Sequence, residues 1–302
     1  MFPTINWNLI SLELLTVTIL VGLVIIDILQ AKDEKKDWLG TFSFIGLFGL
    51  IIFWLTQYGA SGTTFGGMFV LDSLAWFFKG IFLIAMVFVL AMTQESFKTM
   101  GSRKNEFYLL LWLSLLGMFF VASSVDFLLM FISIEILTIS LYVMTAYLKS
   151  DRHSLEAGMK YLILGALSSG FFLYGISFLY GATHSTNFEV IQGYVNTHVM
   201  TFMSAFALVL ILAAVGFKVG AVPFSLWIPD VYQGAPTPVT ALLSIGSKAA
   251  GFIFLIRLLF GVFASWHGHL TLALAILAAI TMCYGNLAAM FQTNIKRLLG
   301  YS

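Results

Sequence analysis

Among the ionisable residues inside long apolar stretches of this sequence of 302 residues, five are the main candidates for chemistry. They are Lys79, Glu135, Lys218, Lys248 and Arg257. A charge at the middle of a bilayer costs about 2.5 to 3.5 kcal/mol on insertion scales, so such residues usually serve a function. Burial disfavours the charged form of a lysine or a glutamate, whereas a nearby opposite charge favours it. A change in burial or in the nearby charge can therefore make such a residue gain or lose a proton. This combination indicates proton transfer within a membrane.

Glu135 and Lys248 lie deepest in their apolar runs. Each is ten residues into its run, which is roughly 15 Å along a helix that rises 1.5 Å per residue. Gly246 and Gly251 leave space around the Lys248 side chain. A protonated, hydrogen-bonded glutamate and a lysine paired with a backbone carbonyl are the structural alternatives, and we favour the functional interpretation for both residues.

Lys218 precedes a proline-rich stretch that interrupts the seventh apolar run. Four of the five prolines of the chain follow it, namely Pro223, Pro229, Pro236 and Pro238. Proline breaks the helical hydrogen-bond ladder, and broken helices are tolerated in membranes where they line a polar cavity. The residues alone leave two interpretations open: a lysine beside a hydrated break, or a lysine that extends from a helix end to the interface.

We interpret Lys79 and Arg257 as structural residues. Lys79 follows Asp72 by seven residues, so the two share a helix face, and we expect a polar group of another helix to join them. Arg257 lies near the exterior end of its run, and we expect its side chain to extend to the interface.

The elements that must position these residues are transmembrane helices. Hydrophobic residues make up 60% of the chain and charged residues 10%, and crossing a bilayer takes about 20 helical residues. Continuous apolarity without alternation favours an all-α, polytopic transmembrane helix bundle over a barrel. Nine apolar runs are long enough to cross, approximately 9–29, 38–57, 71–93, 107–123, 125–146, 158–181, 200–222, 238–263 and 270–290.

Charge and cysteine content exclude several classes of protein. The net charge of +1 offers no basic field for nucleic acid. The single cysteine, Cys283, excludes a cysteine-ligated iron–sulfur cluster held by this chain. Lys and Arg outside the runs follow runs 1, 3, 5 and 9, so the positive-inside rule predicts an exterior or periplasmic N-terminus.

Three segments resemble subunit N of complex I, the proton-pumping NADH-quinone oxidoreductase of bacteria and chloroplasts. They are GFKVGAVPFSLWIPDVYQGAPTPVTALLSIGSKAAGF at residues 216–252, FISIEILTISLYV around Glu135, and FQTNIKRLLGYS from Phe291. The resemblance implies an antiporter-like fold of fourteen helices, with two inverted five-helix repeats and a broken helix 7. Its location would be the bacterial inner (plasma) membrane.

The resemblance also divides residues 1–302, a single membrane domain, into three parts. Helices 1–3 at 9–93 would be peripheral, helices 4–8 at 107–263 would form the first repeat, and 270–302 would begin the second repeat. The chain then stops at the start of a tenth helix, before the lysine that relatives carry on helix 12. We therefore expect a C-terminally truncated subunit.

Through the matching motifs, the resemblance assigns proton translocation to Glu135, Lys218 and Lys248. It also implies an ion pair between Glu135 and Lys218. Five further residues are candidate structural or relay positions: Asp72, Lys79, Pro223, Ser225 and Asp230. Many relatives have histidine where this chain has Ser225.

The function implied is that of a non-redox subunit of an NADH-quinone oxidoreductase, which translocates protons while other subunits reduce quinone. The resemblance implies no catalytic residue, no bound cofactor and no metal. Its partners would be the other membrane subunits and lipid, with quinone reached only indirectly. The alternatives are a subunit of a multi-subunit cation/proton antiporter and a non-conducting scaffold. The stretch DVYQGAPTP at residues 230–238 favours subunit N over the antiporter.

Overall fold

The structure is a computed structural model that describes residues 5–29, 38–100 and 105–302. Across these residues, nine helices are long and apolar enough to cross a membrane, and each corresponds to one of the nine apolar runs. The prediction of an all-α membrane protein is confirmed. Of the predicted loop cations, Lys32, Lys35, Lys36, Arg103 and Lys104 fall outside the described residues.

The helices and strands follow one another along the chain with short connections. Two π-helical segments, Leu243–Ser247 and Arg257–Val262, flank α11 and join it to its neighbours. The elements are α1 (Ser11–Leu29), α2 (Trp38–Thr56), β1 (Gly62–Thr64), β2 (Phe69–Leu71), α3 (Ser73–Met100), α4 (Asn105–Ser123), α5 (Phe127–Thr145), α6 (Arg152–Thr183), α7 (Phe188–Thr197), α8 (Phe202–Val219), α9 (Ile228–Gly234), α10 (Thr237–Leu242), α11 (Lys248–Ile256), α12 (His267–Met290) and α13 (Ile295–Tyr301).

Helix α4 lies at the centre of the bundle, packed against α1, α2, α3, α5 and α11. It buries a larger share of its residues than any other described span. Gly117 makes this packing possible, because a Cβ atom there would lie 2.7 Å from the backbone nitrogen of Leu137 on α5. The chain can therefore bring α5, the helix that carries Glu135, into direct backbone contact with the core.

One end of the bundle, here called the hairpin end, is closed by elements that the apolar runs do not reveal. The antiparallel strands β1 and β2 pair there, and α7 lies between the sixth and seventh apolar runs. Asp126 caps α5 by accepting from the amides of Leu128 and Leu129, and it also accepts from the Thr186 hydroxyl. Asn187 caps α7 and donates to the Gly67 carbonyl. These caps lock the start of α5 in place.

Two ion pairs, one of them fully buried, correct the sequence-based interpretation of Lys79 and Arg257. Lys79 pairs with Glu13 of α1, with 2.6 Å between nitrogen and oxygen. Arg257 donates to both carboxylate oxygens of Asp72, at 3.2 and 3.0 Å, and twice to the carbonyl of Ala122.

The predicted linkage of Lys79 to Asp72 was therefore wrong, and so was the extended Arg257. Asp72 immediately precedes α3, where its carboxylate also accepts from the Ala75 amide and faces the hairpin end. Lys79 lies two turns deeper, where Glu13 pairs with it. Arg257 is buried because Asp72 and an otherwise unpaired carbonyl surround its guanidinium.

Candidate functional site

The site forms around the break that follows α8. Lys218 lies in the last turn of that helix and is buried. The helix ends at Gly220, whose left-handed conformation, with φ of +85°, favours glycine. A short α9 begins eight residues later, with Pro229 in its first turn. The predicted break in the seventh span is therefore confirmed, and it places Lys218 immediately before the interruption.

Lys248 of α11 approaches the break from the other side. A Cβ atom on Gly220 would lie 2.5 Å from the Lys248 amine nitrogen, so the missing side chain makes room for that amine. The converse holds for Gly251, where a Cβ atom would lie 3.2 Å from the backbone carbonyl carbon of Lys218. The two glycines thus let α8 and α11 cross closely. Gly220, at the end of α8, faces Lys248, and Gly251 of α11 faces Lys218.

Neither lysine amine has a hydrogen-bond partner among the described residues. The Lys248 nitrogen lies 4.9 Å from the centre of the Trp227 ring, and the Lys218 nitrogen lies 5.6 Å from the centre of the Phe217 ring. Such cation–π contacts stabilise a charge less than an ion pair with a hydrogen bond does. Both amines are therefore buried with little compensation.

Glu135 lies half-buried on α5 and accepts a hydrogen bond of 2.5 Å from the hydroxyl of Ser169 on α6. Its charge acts on Lys218 through space. The ion pair expected between Glu135 and Lys218 is not formed, because none of the ion pairs among the described residues joins these two side chains. The two groups are neighbours with a gap between them.

Stacked aromatic rings join α5, α6 and the break. Tyr161 of α6 stacks on Trp227 with ring centres 4.6 Å apart, and it meets Tyr142 of α5 edge-on at 4.7 Å. Trp227 also stacks on Phe217 at 5.1 Å and donates its indole N–H to the carbonyl of Phe217. This cluster fixes the irregular segment against α8 and holds the two lysines at the break.

The π-helical segment Leu243–Ser247 directly precedes Lys248 and was missed by sequence reasoning. One extra residue per turn rotates the following helix relative to the preceding one. The small residues Ser244, Gly246 and Ser247 permit such a turn, although small residues are common in membrane helices and are a weak signal. Lys248 is thus aimed by a local irregularity rather than by regular helical spacing.

The remaining sequence-predicted residues lie around the break without joining the lysines. Val222 and Pro223 are joined by a cis peptide bond, and the Ser225 carbonyl accepts from the Ile228 amide. Asp230 accepts from Lys160 of α6 at 2.7 Å and from Arg297 of α13 at 2.6 Å.

The charge-assisted hydrogen bond from Lys160, followed by that from Arg297, lowers the pKa of Asp230 below its usual range. Asp230 therefore acts as a structural clamp between three helices. It lies at the end of the bundle opposite the hairpin, here called the clamp end.

A cavity of about 1140 Å³ lies beside Lys248, between the break, α10, α11 and α12. Its walls are mainly apolar, and α13 and Thr281 of α12 contribute to them. The Thr281 hydroxyl accepts from the amide of Val222 and so holds the break against α12. Lys248 itself lines the cavity.

Comparison with known proteins supports a common origin over nearly the whole chain. Subunit N of NADH-quinone oxidoreductase from Heliobacterium modesticaldum is 40% identical over 298 residues, which are 98% of this chain and 62% of the relative. The same subunit from Chlorobium chlorochromatii is 43% identical over 293 residues, 93% of this chain and 57% of the relative. The chain thus spans about three-fifths of the length of these relatives.

The fold is also shared with a solved respiratory complex. A chain of respiratory complex I from Thermus thermophilus, solved with bound aureothin, superimposes with a TM-score of 0.79 at 31% identity. The similarity covers 96% of this chain and 61% of that chain. In addition, residues 124–302 match the sequence family described as NADH:quinone oxidoreductase/Mrp antiporter, transmembrane. The chain that carries Glu135, Lys218 and Lys248 therefore belongs to the NADH:quinone oxidoreductase/Mrp antiporter transmembrane family.

Proposed function

We propose that this chain is a proton-translocating membrane subunit of a respiratory complex similar to complex I. One observation carries the proposal: two buried lysine amines without hydrogen-bond partners flank a broken membrane helix. A stable membrane bundle would not retain two such groups for packing alone, because each costs several kcal/mol unless it is compensated. The cost is explained if these groups must gain and lose protons.

The proposed path starts at the break. Water that enters from the cytosolic side, which we assign to the clamp end, delivers a proton to Lys218. The proton then passes to Lys248, whose amine lies on the other side of Gly220. Because Glu135 acts on Lys218 through space, a change in the charge of Glu135 alters how firmly Lys218 holds its proton. Direct contact between the two is not required.

The redox chemistry belongs to other subunits in this proposal. This chain holds no redox cofactor and no metal, and quinone reduction in a partner subunit biases Glu135 and the two lysines. The partners are the other membrane subunits of the complex and the surrounding lipid. The chain resides in a bacterial inner membrane with its N-terminus on the exterior or periplasmic side.

The proposed arrangement of repeats follows the same resemblance. Helices α1 to α3 are peripheral, the segment 107–263 is the first antiporter-like repeat, and 270–302 begins the second. The curated relatives named subunit N favour a quinone-linked complex over a cation/proton antiporter, although the matched family includes both.

Proton pumping by the assembled complex tests the proposal. Glu135→Gln and Lys248→Met should each depress the pH gradient formed in inverted membrane vesicles during NADH oxidation. The matched control is Glu189→Gln, because Glu189 is a carboxylate on the exposed surface of α7 and should pump normally. Wild-type pumping in both Glu135→Gln and Lys248→Met would overturn the proposal.

A further inference from the structure

The hydroxyl of Ser169 departs from the pattern of other serines and threonines within the membrane spans. Many of those hydroxyls donate to the carbonyl four residues earlier in their own helix. Examples are Thr16, Thr93, Ser133, Thr138, Ser140 and Thr145. This intrahelical bond is the usual way to satisfy a hydroxyl in a membrane helix. Ser169 instead donates across the helix interface to the carboxylate of Glu135, at 2.5 Å.

The turn of α6 around Ser169 contacts both helices that carry the proposed proton path. Gly165, one turn earlier, lacks a side chain where the Tyr142 hydroxyl of α5 packs. Ser168 donates to the carbonyl of Ala214 on α8, at 3.4 Å, one turn before Lys218. Adjacent serines of α6 therefore contact the Glu135 side chain on α5 and the backbone next to Lys218 on α8.

Few other groups can affect the charge of Glu135. Lys218, Tyr142 and Tyr161 interact with it electrostatically. Among the other helices packed on α5, α10 has no ionisable side chain, and α4 carries only Glu106 and Tyr108, both within its first four residues. Ser169 is therefore the hydroxyl seen to hydrogen-bond directly to the Glu135 carboxylate.

We propose that Ser169 is a positioning residue that holds Glu135 in its ionised form, an inference that rests on the proposed function. A hydroxyl that donates to a carboxylate stabilises the negative charge, and such charge-assisted hydrogen bonds are among the stronger ones in proteins. When Glu135 takes up a proton from the path, the Ser169 hydroxyl rotates to its own helix. There the Gly165 carbonyl, four residues earlier, offers it the bond that other serines make. No covalent bond of Ser169 changes.

The pH profile of proton pumping tests this role in the assembled complex. Ser169→Ala removes the donor that stabilises the carboxylate, so the acidic limb of the pumping profile should move to a higher pH. Ser169→Thr keeps the hydroxyl and should restore the wild-type limb. The matched control is Ser177→Ala on the same helix, whose hydroxyl donates to its own helix at Tyr174 and whose loss should not move the limb.

The outcomes separate this inference from the proposed function. If Glu135→Gln lowers pumping but Ser169→Ala keeps the wild-type acidic limb, the role of Ser169 is wrong and the proton path stands. If Glu135→Gln alone pumps normally, the role of Ser169 is wrong; if both Glu135→Gln and Lys248→Met pump normally, the proton path itself is wrong. Ser169→Ala could instead lose pumping at every pH, with no shift of the acidic limb and no recovery in Ser169→Thr. That result would indicate a packing role for Ser169 and would also overturn the inference.

Discussion

Buried charges occur in two regions of this molecule, and the two regions treat them differently. Near the hairpin end, Lys79 pairs with Glu13, and Arg257 pairs with Asp72 and a backbone carbonyl. Around the break, the amines of Lys218 and Lys248 are buried with neither a hydrogen-bond partner nor an ion pair among the described residues. The same chemical groups are therefore neutralised in one region and left uncompensated in the other.

The difference indicates what each region is for. A buried ion pair offsets part of the desolvation cost of both charges and specifies which helices meet. Glu13 and Lys79, with side chains 2% and 0% exposed, join α1 to α3 in this way. An uncompensated amine has no such structural benefit, but its proton can move when the surrounding charge changes. Paired charges thus suit the scaffold, and unpaired charges suit transport.

Breaking the Glu13–Lys79 pair should have the largest effect on stability. Lys79→Met leaves the Glu13 carboxylate buried without its counter-ion, and we expect the free energy of unfolding to fall by about 3 to 5 kcal/mol. The double variant Glu13→Gln/Lys79→Met removes both charges and should recover most of the loss. Unfolding in detergent, followed by circular dichroism, measures both. Equal stability of Lys79→Met and wild type would contradict a structural role for the pair.

Removing the charge of a lysine at the break should change stability little and proton pumping strongly. Lys218→Met removes a buried charge that has no partner, so the free energy of unfolding should stay within about 1 kcal/mol of wild type or rise. Proton pumping by the assembled complex should nevertheless be lost. The informative quantity is the loss of pumping relative to the loss of stability, measured in Lys218→Met and compared with the same ratio in Lys79→Met. A loss of stability in Lys218→Met as large as that in Lys79→Met would remove the distinction between the regions.

Sequence reasoning located the buried charges but did not find their partners. The nine spans, the break and the depth of Glu135 and Lys248 follow from local apolarity and from prolines, which a single segment displays. The Glu13–Lys79 pair joins helices more than sixty residues apart, and nothing within either helix specifies that contact. Asp72 was assigned to Lys79 because both lie on one face of the third span, whereas the π-helical segment that follows α11 brings Arg257 to it.

The π-helical turn before Lys248 and the bond from Ser169 to Glu135 were missed for a related reason. Both depend on how neighbouring helices pack, and the small residues that permit them are frequent throughout the chain. A serine whose hydroxyl bonds within its helix and one whose hydroxyl bonds to another helix look the same in a sequence. Contacts between helices therefore require coordinates, whereas the cost of burying a charge does not.

A third charged cluster, the clamp around Asp230, is paired but partly exposed, and it should contribute least. The hydrogen bond from Lys160, followed by that from Arg297, lowers the pKa of Asp230 in the folded chain. Its contribution to stability is therefore present above the pKa of the unfolded chain and is lost as the pH falls through the lower, folded pKa. Because the Asp230 side chain is 35% exposed, we expect a contribution of only about 0.5 kcal/mol.

The variant Asp230→Asn tests this ranking through its pH dependence. It should lower stability slightly near pH 7 and leave stability unchanged at a pH below the folded pKa of Asp230, where the wild-type carboxyl is also neutral. Unfolding in detergent across an acidic pH series measures the difference between the two chains. Glu189→Gln, at an exposed carboxylate outside the clamp, is the control and should show no such convergence. If Asp230→Asn lowered the free energy of unfolding nearly as much as Lys79→Met does, solvent exposure would not weaken the clamp. The ranking of paired charges by burial would then be wrong.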